Sequence, residues 1–466
     1  MAIIDEYGTK RTMRSMKQLI SEISPLRLAP NSAGLDKCIQ ILQEELPCTI
    51  YEFKSGTEVN GWIVPQKWEV LEAKIRDTNG RVIYDGMEHT LAVIGYSQSF
   101  VGRISATELK KHLFYTEVFD DALVYHCDLF YKPFRKEWGF SVPKRFYNSI
   151  SGGEYDIELR TSFEEGTMKV AEYVLEGKST NSIVLNAHNC HAFCCNDDLS
   201  GVAVGVEVMR RLSKITRRYF TYRLVIAPEH YGSIFYLNRL NDEAVSNLKW
   251  GIFLEMLGND NKLALQRSFI GTSLMDRALS NALQWVAGDW RTAPFRKIVG
   301  NDETCWEAAG YEIPFPSLSR SDGKSHFPEY HTSYDCPELI NEARLEEAVR
   351  VVLEAMYILE NDSIMKRKFK GLVALSHPRY DLYKPFADPS EPDRRTISQM
   401  QIKWNHLMDC IPRYFDGQTR ILEIAERHRI SFRSVFEYVK GFEAKGLIAL
   451  IPASPSNPAP RKLPPL

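Results

Sequence analysis

Several features are missing from this chain of 466 residues. Its apolar runs all fall short of the roughly 18 residues that a membrane-spanning helix needs. The first residues, MAIIDEYGTKRTMRSMKQLI, lack the charged and then apolar layout of a secretory signal. The nine cysteines are scattered and odd in number, which does not suit a disulfide framework. We therefore expect a cytoplasmic protein with reduced thiols and no membrane partner.

A large excess of charge is also missing, since the formal net charge is -2. The overall charge thus gives no reason to expect a polyanionic partner. The chain shows no internal repeat, and its hydrophobic content of 44% is ample for a core. At this length we expect two or three domains.

The fold class follows from how apolar residues alternate along the chain. From Met168 onward, short β-type runs alternate with helical patterns, with strand-like stretches expected near Phe295 and Ile313. This predicts an α/β fold with a mainly parallel sheet and helices on both faces. Before it, short alternating runs and the turn Thr78-Asn79-Gly80 predict a β-rich insertion. The predicted parts are an α/β domain (1–60 and 158–375), a β-rich inserted domain (61–157), a linker (376–396), a winged-helix domain (397–452) and a Pro-rich, disordered tail (453–466).

The insertion is rich in aromatic side chains. For most of them we expect core packing, while the others would face a substrate. The residues in question are Trp62, Trp68, Tyr96, Tyr131 and Trp138.

Residues of the type that bind metals are concentrated between a buried strand and a helix. In the stretch IVLNAHNCHAFCCNDDLSG, His188, His191 and Asp197 follow the apolar run that starts at Ile183. Sites in α/β sheets form outside the carboxyl ends of strands, and imidazole and carboxylate groups bind zinc. The alternative is a loop with two incidental histidines, in which Asp197 or Asp198 caps the helix.

Three further acidic or imidazole clusters follow predicted strands. They are Glu229-His230, Glu255 and His331. A zinc hydrolase needs metal ligands of these types and a glutamate that takes a proton from bound water. Singly, each has a simpler explanation: a helix cap for His230, an ion pair for Glu255 and a loop hydrogen bond to Tyr334 or Asp335 for His331. Their joint occurrence at strand ends favours the metal site.

The order His191, Asp197-Asp198-x-Ser200-Gly201, Glu229-His230, Glu255, His331-Thr332 resembles the zinc aminopeptidase superfamily, which includes leucyl aminopeptidases and glutaminyl cyclases. The segments GTEVNGWIVPQKWEV, WGFSV and FPEYHTSYD resemble, more closely, an aminopeptidase-like domain family of unknown function. Some members of that family carry a β-rich insertion and a C-terminal winged helix.

The resemblance implies a role for each matching residue. Asp197 would bridge metals, Glu229 would be the general base, and His331 would be the last imidazole ligand. His191 would be the first ligand, with His188 competing for that role. His230 and Glu255 stand where the superfamily usually has Glu and Asp, so one or two zinc ions are expected. Glu303 would hold a substrate ammonium, and Tyr330 would contact the substrate.

The implied function is that of a zinc-dependent hydrolase of peptide or amide bonds, specifically an aminopeptidase. One alternative is an amide hydrolase or cyclase that acts on a modified amine or sugar. Another is a non-enzymatic regulator, in which a degenerate peptidase fold carries a winged helix that binds nucleic acid. The expected partners are a peptide or small amide substrate and a second copy of the chain.

The segment DGQTRILEIAERHRISFRSVFEYVKGFEAKGLI predicts a helix, a turn and a second helix, typical of a winged helix. A DNA-reading winged helix needs a basic, polar face. Between Asp416 and Gly446, basic residues outnumber acidic ones by only one, and the second helix offers Phe432, Phe436 and Tyr438. We therefore expect this domain to dock onto the α/β domain or a second subunit, with nucleic-acid binding as the lesser alternative.

Overall fold

The computed structural model describes residues 2–4, 10–132, 134–323, 326–384, 398–452 and 455. Contacts divide the chain into two units. The first unit runs to Gly271 and includes Arg291–Val349, and the second comprises Thr272–Trp290 and the described residues from Arg350 onward. The predicted domain boundaries stay a prediction. Residues 385–396 of the predicted linker, and all of the predicted tail except Pro455, lie outside the described residues.

The N-terminal part contains β1 (Ala2–Ile4), β2 (Lys10–Thr12), α1 (Met16–Ile23), α2 (Ala33–Glu45) and β3 (Thr49–Lys54). The β-rich part contains β4 (Glu58–Val59), β5 (Trp62–Ile63), β6 (Lys67–Arg76), β7 (Val82–Asp85), β8 (Phe100–Ser105), α3 (Ala106–Leu109), a 3-10 turn (Lys110–His112), β9 (Leu113–Phe114), β10 (Phe140–Ser141), α4 (Lys144–Ser149) and β11 (Glu154–Glu164).

The α/β part contains β12 (Thr167–Leu175), β13 (Ser182–His188), an irregular turn (Cys195–Leu199), α5 (Ser200–Ser213), β14 (Thr221–Ala227), α6 (Tyr231–Asn238), α7 (Asp242–Asn247), β15 (Leu248–Leu254), β16 (Leu263–Gln266), α8 (Leu274–Val286), β17 (Trp290–Ala293), α9 (Glu303–Trp306), β18 (Ser317–Arg320), a 3-10 turn (Pro337–Leu339) and α10 (Glu342–Asn361). The C-terminal part contains β19 (Ser363–Arg367), α11 (Gln399–Tyr414), β20 (Asp416–Arg420), α12 (Ile421–His428), α13 (Phe432–Ala444) and β21 (Ile448–Pro452).

The first unit is built on an eight-stranded sheet with the order β17-β16-β18-β15-β13-β14-β12-β3. Its four central strands, β18, β15, β13 and β14, are parallel, while β12, β3 and β16 pair antiparallel at the edges. Every residue of β13 is buried, as expected for a strand covered on both faces. The predicted α/β class with a mainly parallel sheet is confirmed.

Local sequence signals set where the helices begin. Ser15 caps α1 in a capping box with Gln18, and the Ser32 side chain accepts a hydrogen bond from the backbone N of Leu35 at the start of α2. Such side chains satisfy backbone N–H groups that have no partner within the helix. Pro25 and Pro47 follow the ends of the two helices, because a proline cannot continue a helix.

The β-rich part forms an antiparallel sheet with the order β7-β6-β11-β8. β11 pairs along its length with β6 and continues to Glu164, past the predicted boundary at 157. The strand runs further because Phe163 and Glu164 still have partners on β6 at Trp68 and Lys67.

The second unit contains α8 and a three-stranded sheet with the order β20-β19-β21, together with α11, α12 and α13. The predicted helix-turn-helix corresponds to α12 and α13. Its assignment as a winged helix stays a prediction. Within the described part of the chain, no helix combines the length and the apolar character that crossing a bilayer requires.

Gly251 tests how tightly the central sheet is packed. A Cβ atom at this position of β15 would lie 1.8 Å from Cε2 of the buried Phe315, whose ring stacks on Trp306. We expect Gly251→Ala to lower the free energy of unfolding by about 1–3 kcal/mol, because an overpacked core must shift. Gly102→Ala is the matched control, since its Cβ would meet Phe100 at an ordinary 3.5 Å. Urea denaturation of both variants checks this, and equal midpoints would contradict it.

Candidate metal centre

The parallel strands bring the predicted site residues to one edge of the sheet. His188 is the last residue of β13, and it pairs with Ala227 at the end of β14. Glu229 follows β14 after one intervening proline, and Glu255 directly follows β15. His331 lies in the loop after β18. Side chains that are distant in sequence therefore meet beyond the carboxyl ends of neighbouring strands.

Asp197 is the centre of this cluster. Its Oδ1 lies 3.2 Å from Nε2 of His188, and its Oδ2 lies 3.0 Å from Nε2 of His331. Two sets of donor atoms that lie within 4.8 Å of one another contain Asp197: one with His188 and Glu255, and one with His191 and His331. The structure therefore places both histidines that compete for the first-ligand role, His188 and His191, in the cluster.

Several donor atoms in the cluster are buried and lack a well-aligned hydrogen bond. They are both ring nitrogens of His188, Oδ2 of Asp197, Oε2 of Glu255 and Nε2 of His331. A buried polar atom without a partner is costly, and a cation would satisfy these atoms together. Imidazole nitrogens and carboxylate oxygens are the ligands that zinc accepts. The residues present thus fit a metal ion.

The electrostatics of the two carboxyl groups differ. Burial tends to raise the pKa of Asp197, but the neighbouring imidazoles of His191, His188 and His331 hold that pKa well below its ordinary value. Burial, followed by the nearby charges of Asp197 and Asp198, raises the pKa of Glu255 well above its ordinary value. Of these two groups, Asp197 is therefore the one that stays ionised more readily.

Asp335, which is not among the predicted ligands, fixes the turn that carries Asp197. Its Oδ1 accepts the backbone N–H of Asn196 at 2.7 Å, and its Oδ2 accepts that of Asp197 at 3.1 Å. It lies four residues after His331 in the segment HTSYD. One short segment therefore contributes both a donor atom and the support for the central carboxylate.

Asp198 has a structural role. Its Oδ1 accepts from the backbone N–H groups of Gly201, at 3.0 Å, and Met256, at 3.2 Å. The contact with Gly201 ties Asp198 to the first turn of α5, whose N-cap residue is Leu199. A Cβ at Gly201 would lie 2.2 Å from the carbonyl oxygen of Leu254, which explains the glycine of NDDLSG.

Glu229 lies beside the donor cluster and belongs to none of the donor groups found among the described residues. Its Oε2 is 3.6 Å from Nε2 of His191 and accepts a hydrogen bond from the hydroxyl of Tyr131. Tyr131 comes from the β-rich part and is 36% exposed. A partly exposed carboxylate next to the cluster is thus held by a side chain of the insertion.

His230, predicted as a ligand, is also outside these donor groups. Its backbone N–H donates to Oδ1 of Asp302 at 2.5 Å, and its ring lies parallel to that of Trp62 with centroids 5.9 Å apart. Its Nδ1 is 3.6 Å from Oε1 of Glu229. The structure therefore places His230 next to Glu229, and its ligand role stays a prediction.

The two predicted substrate contacts lie in different surroundings. The Tyr330 ring stacks on His331 with centroids 3.9 Å apart. Glu303 is fully buried, its oxygens accept the backbone N–H of Asn301, and burial raises its pKa to about 7. Asn301 in turn donates to Oε1 of Glu255 at 2.7 Å. Glu303 thus supports the loop that contacts Glu255, and its predicted contact with a substrate ammonium stays a prediction.

The aromatic residues of the insertion lie in two kinds of surroundings, and the predicted contact of some of them with a substrate stays a prediction. Trp68 and Tyr96 are buried and stack on each other. Trp62 and Tyr131 instead contact His230 and Glu229 at the cluster. Tyr125 was not predicted, and its ring lies 4.7 Å from that of His191 and 5.1 Å from that of His331. The sequence offered no signal for Tyr125.

The profile of the family described as "Domain of unknown function (DUF4910)" matches residues 17–362. The chain belongs to this family. A relative from Clostridium acetobutylicum, named "Putative polysaccharide biosynthesis protein with aminopeptidase-like domain", is 28% identical to this DUF4910 protein over 440 residues, covering 93% of this chain and 96% of the relative.

Solved structures extend the comparison to the fold. The crystal structure of a "putative peptidase" from Clostridium acetobutylicum is similar with a TM-score of 0.79 and 26% identity, covering 94% of this chain and 96% of that chain. BSAP, a zinc aminopeptidase from Bacillus subtilis, is similar with a TM-score of 0.54 and 16% identity, covering 74% and 96%. The predicted family and the zinc aminopeptidase fold are therefore confirmed.

Metal analysis of two variants tests the shared role of Asp197. We expect Asp197→Asn to abolish tight binding of divalent metal. The reason is that Asp197 belongs both to the donor group with His188 and Glu255 and to the donor group with His191 and His331. Glu255→Gln, which alters only the group of His188, Asp197 and Glu255, should lower the metal content less than Asp197→Asn does. Elemental analysis after exhaustive dialysis measures both, with the exposed Asp260→Asn as the control. Unchanged metal content in Asp197→Asn would show that the cluster is not the binding site.

Proposed function

We propose that this protein is a zinc-dependent hydrolase of peptide or amide bonds, and specifically an aminopeptidase. The observation that carries the proposal is a carboxylate, Glu229, that lies beside a buried set of unpartnered metal donors without being part of them. A general base must be close to the water that it deprotonates yet remain free of the metal. Similarity in fold to zinc aminopeptidases supports the choice of reaction, although fold alone does not determine function.

His188, Asp197 and Glu255 would hold one zinc, and His191, Asp197 and His331 would hold a second. Zinc supplies an activated water nucleophile and polarises the scissile carbonyl. Glu229 would take the proton from the nucleophilic water and deliver it to the leaving nitrogen. The Tyr131 hydroxyl, which donates to Oε2 of Glu229, orients this carboxylate.

The aromatic side chains around the cluster shape its surroundings. The rings of Tyr330 and Tyr125 lie against His331, and Trp62 lies against His230. They would limit the access of bulk water to the reacting groups, which strengthens electrostatic interactions there. Since Tyr125 and Tyr131 both come from the β-rich part, we assign to that part a role in forming the substrate cleft.

A second candidate keeps the same residues and changes the substrate. The relative from Clostridium acetobutylicum carries polysaccharide biosynthesis in its name, which favours an amide on an amino sugar or another modified amine. Hydrolysis of N-acyl amino sugars, with aminoacyl anilides left intact, would select this candidate.

Glu229→Gln tests the proposed base. We expect the turnover number on aminoacyl anilides to fall by about 10²–10⁴-fold, because proton transfer by a positioned group contributes that much, while the zinc content stays the same. Glu154→Gln, an exposed glutamate on β11, is the control. Rates for both variants are measured on zinc-loaded protein.

Full activity of Glu229→Gln would contradict its role as the base. If the folded, zinc-loaded protein hydrolysed neither substrate class but bound duplex DNA in a salt-dependent manner, the non-enzymatic alternative would replace the proposal.

A further inference from the structure

Cys190 lies between the two histidines of the site and is not used by the mechanism above. It is 1% exposed. Its Sγ accepts the backbone N–H of Glu229 at 3.2 Å and lies 3.4 Å from Nδ1 of His191. Sγ also lies within 4.8 Å of a ring nitrogen of His188. One buried sulfur therefore contacts the residue proposed as the base and at least one proposed ligand.

The two ring nitrogens of His191 face different neighbours. Nε2 lies 3.6 Å from Oε2 of Glu229, while Nδ1 lies 3.4 Å from Sγ of Cys190. A neutral imidazole that binds a cation through one nitrogen carries its proton on the other nitrogen. When Nε2 faces the metal, Nδ1 is the N–H donor, and Sγ is the acceptor within reach.

His188 supplies a second, independent observation. Its Nε2 lies next to Asp197, whereas its Nδ1 is buried and makes no hydrogen bond. Ligand histidines almost always donate their other N–H to an acceptor, and this acceptor fixes the tautomer and the ring orientation. Sγ of Cys190 is an acceptor close to both rings, whose centroids are 4.4 Å apart.

We propose that Cys190 is a positioning residue whose sulfur accepts hydrogen bonds from the ligand histidine His191 and from the backbone N–H of Glu229. The sulfur thereby fixes the position of Nε2 of His191 relative to the general base, Glu229. This inference rests on the proposed metal-dependent function, and it assigns to the sulfur no direct bond to the metal.

Zinc affinity and a cobalt spectrum together test the proposal. We expect Cys190→Ala to weaken zinc binding by about 10–100-fold, the usual effect of losing an acceptor behind a ligand histidine. Cys190→Ser should recover part of the affinity, because the hydroxyl oxygen accepts hydrogen bonds. Competition with a chromophoric chelator measures zinc binding in the full-length chain, independently of any substrate.

The matched controls are Cys38→Ala and Cys38→Ser, which change a cysteine that is equally buried and belongs to none of the metal donor groups among the described residues. Their zinc affinity should equal that of the unmodified protein. If Cys190→Ala does not fold, Cys190→Ser is compared with Cys38→Ser instead. We then expect Cys190→Ser to lose zinc affinity by less than the roughly 10–100-fold expected for Cys190→Ala, and Cys38→Ser to lose none.

Two results would overturn the proposal. Zinc affinity that is unchanged in both Cys190 variants would show that the sulfur does not position the ligands. A sulfur-to-cobalt charge-transfer band in the cobalt-loaded protein, lost in Cys190→Ser, would make the sulfur a direct ligand. If the unmodified chain bound no zinc, the proposed function itself would fail, and this outcome differs from a loss confined to Cys190.

Discussion

The site depends on one constraint, the burial of several imidazole and carboxyl groups around Asp197 without enough hydrogen-bond partners. Bulk water reaches these groups poorly, because His188 and Asp197 are almost completely enclosed. In the folded chain the donors are held in place from outside, by Asp335 on the turn that carries Asp197 and by Asn301 on Glu255. Such a preorganised but unsatisfied set of donors is what a metal site requires.

Two tyrosine residues of the β-rich part make hydrogen bonds with residues of the site. Tyr131 donates to Glu229, and the backbone N–H of Tyr125 donates to the carbonyl oxygen of His331 at 2.8 Å. The insertion thus contacts the site directly, which gives it a means to influence both the base and a ligand. The docking role expected of the C-terminal helices stays a prediction.

Much of the secondary structure could be predicted from the sequence. A helical apolar pattern covers 274–286 and corresponds to α8, and apolar β-type runs cover 182–187 and 222–227 and correspond to β13 and β14. Capping residues and apolar runs are local signals, which is why the sequence shows them. Strands were also expected near Phe295 and Ile313. In the structure β17 ends earlier, at Ala293, and β18 begins later, at Ser317. β16 was missed, because its four residues, LALQ, owe their conformation to pairing with β18 rather than to their own pattern.

The sequence by itself determined the α/β class, the family resemblance and the chemical types present at the strand ends, since these follow from periodicity and from residue identity. It could not show that both His188 and His191 lie in the cluster or that His230 lies outside the donor groups of the described residues. Nor could it show that Asp335, Tyr131 and Cys190 contact the cluster. Those relations depend on ångström-scale distances between segments that are far apart in the chain. Only the packing of parallel strands, which brings their carboxyl ends to one edge, sets these distances.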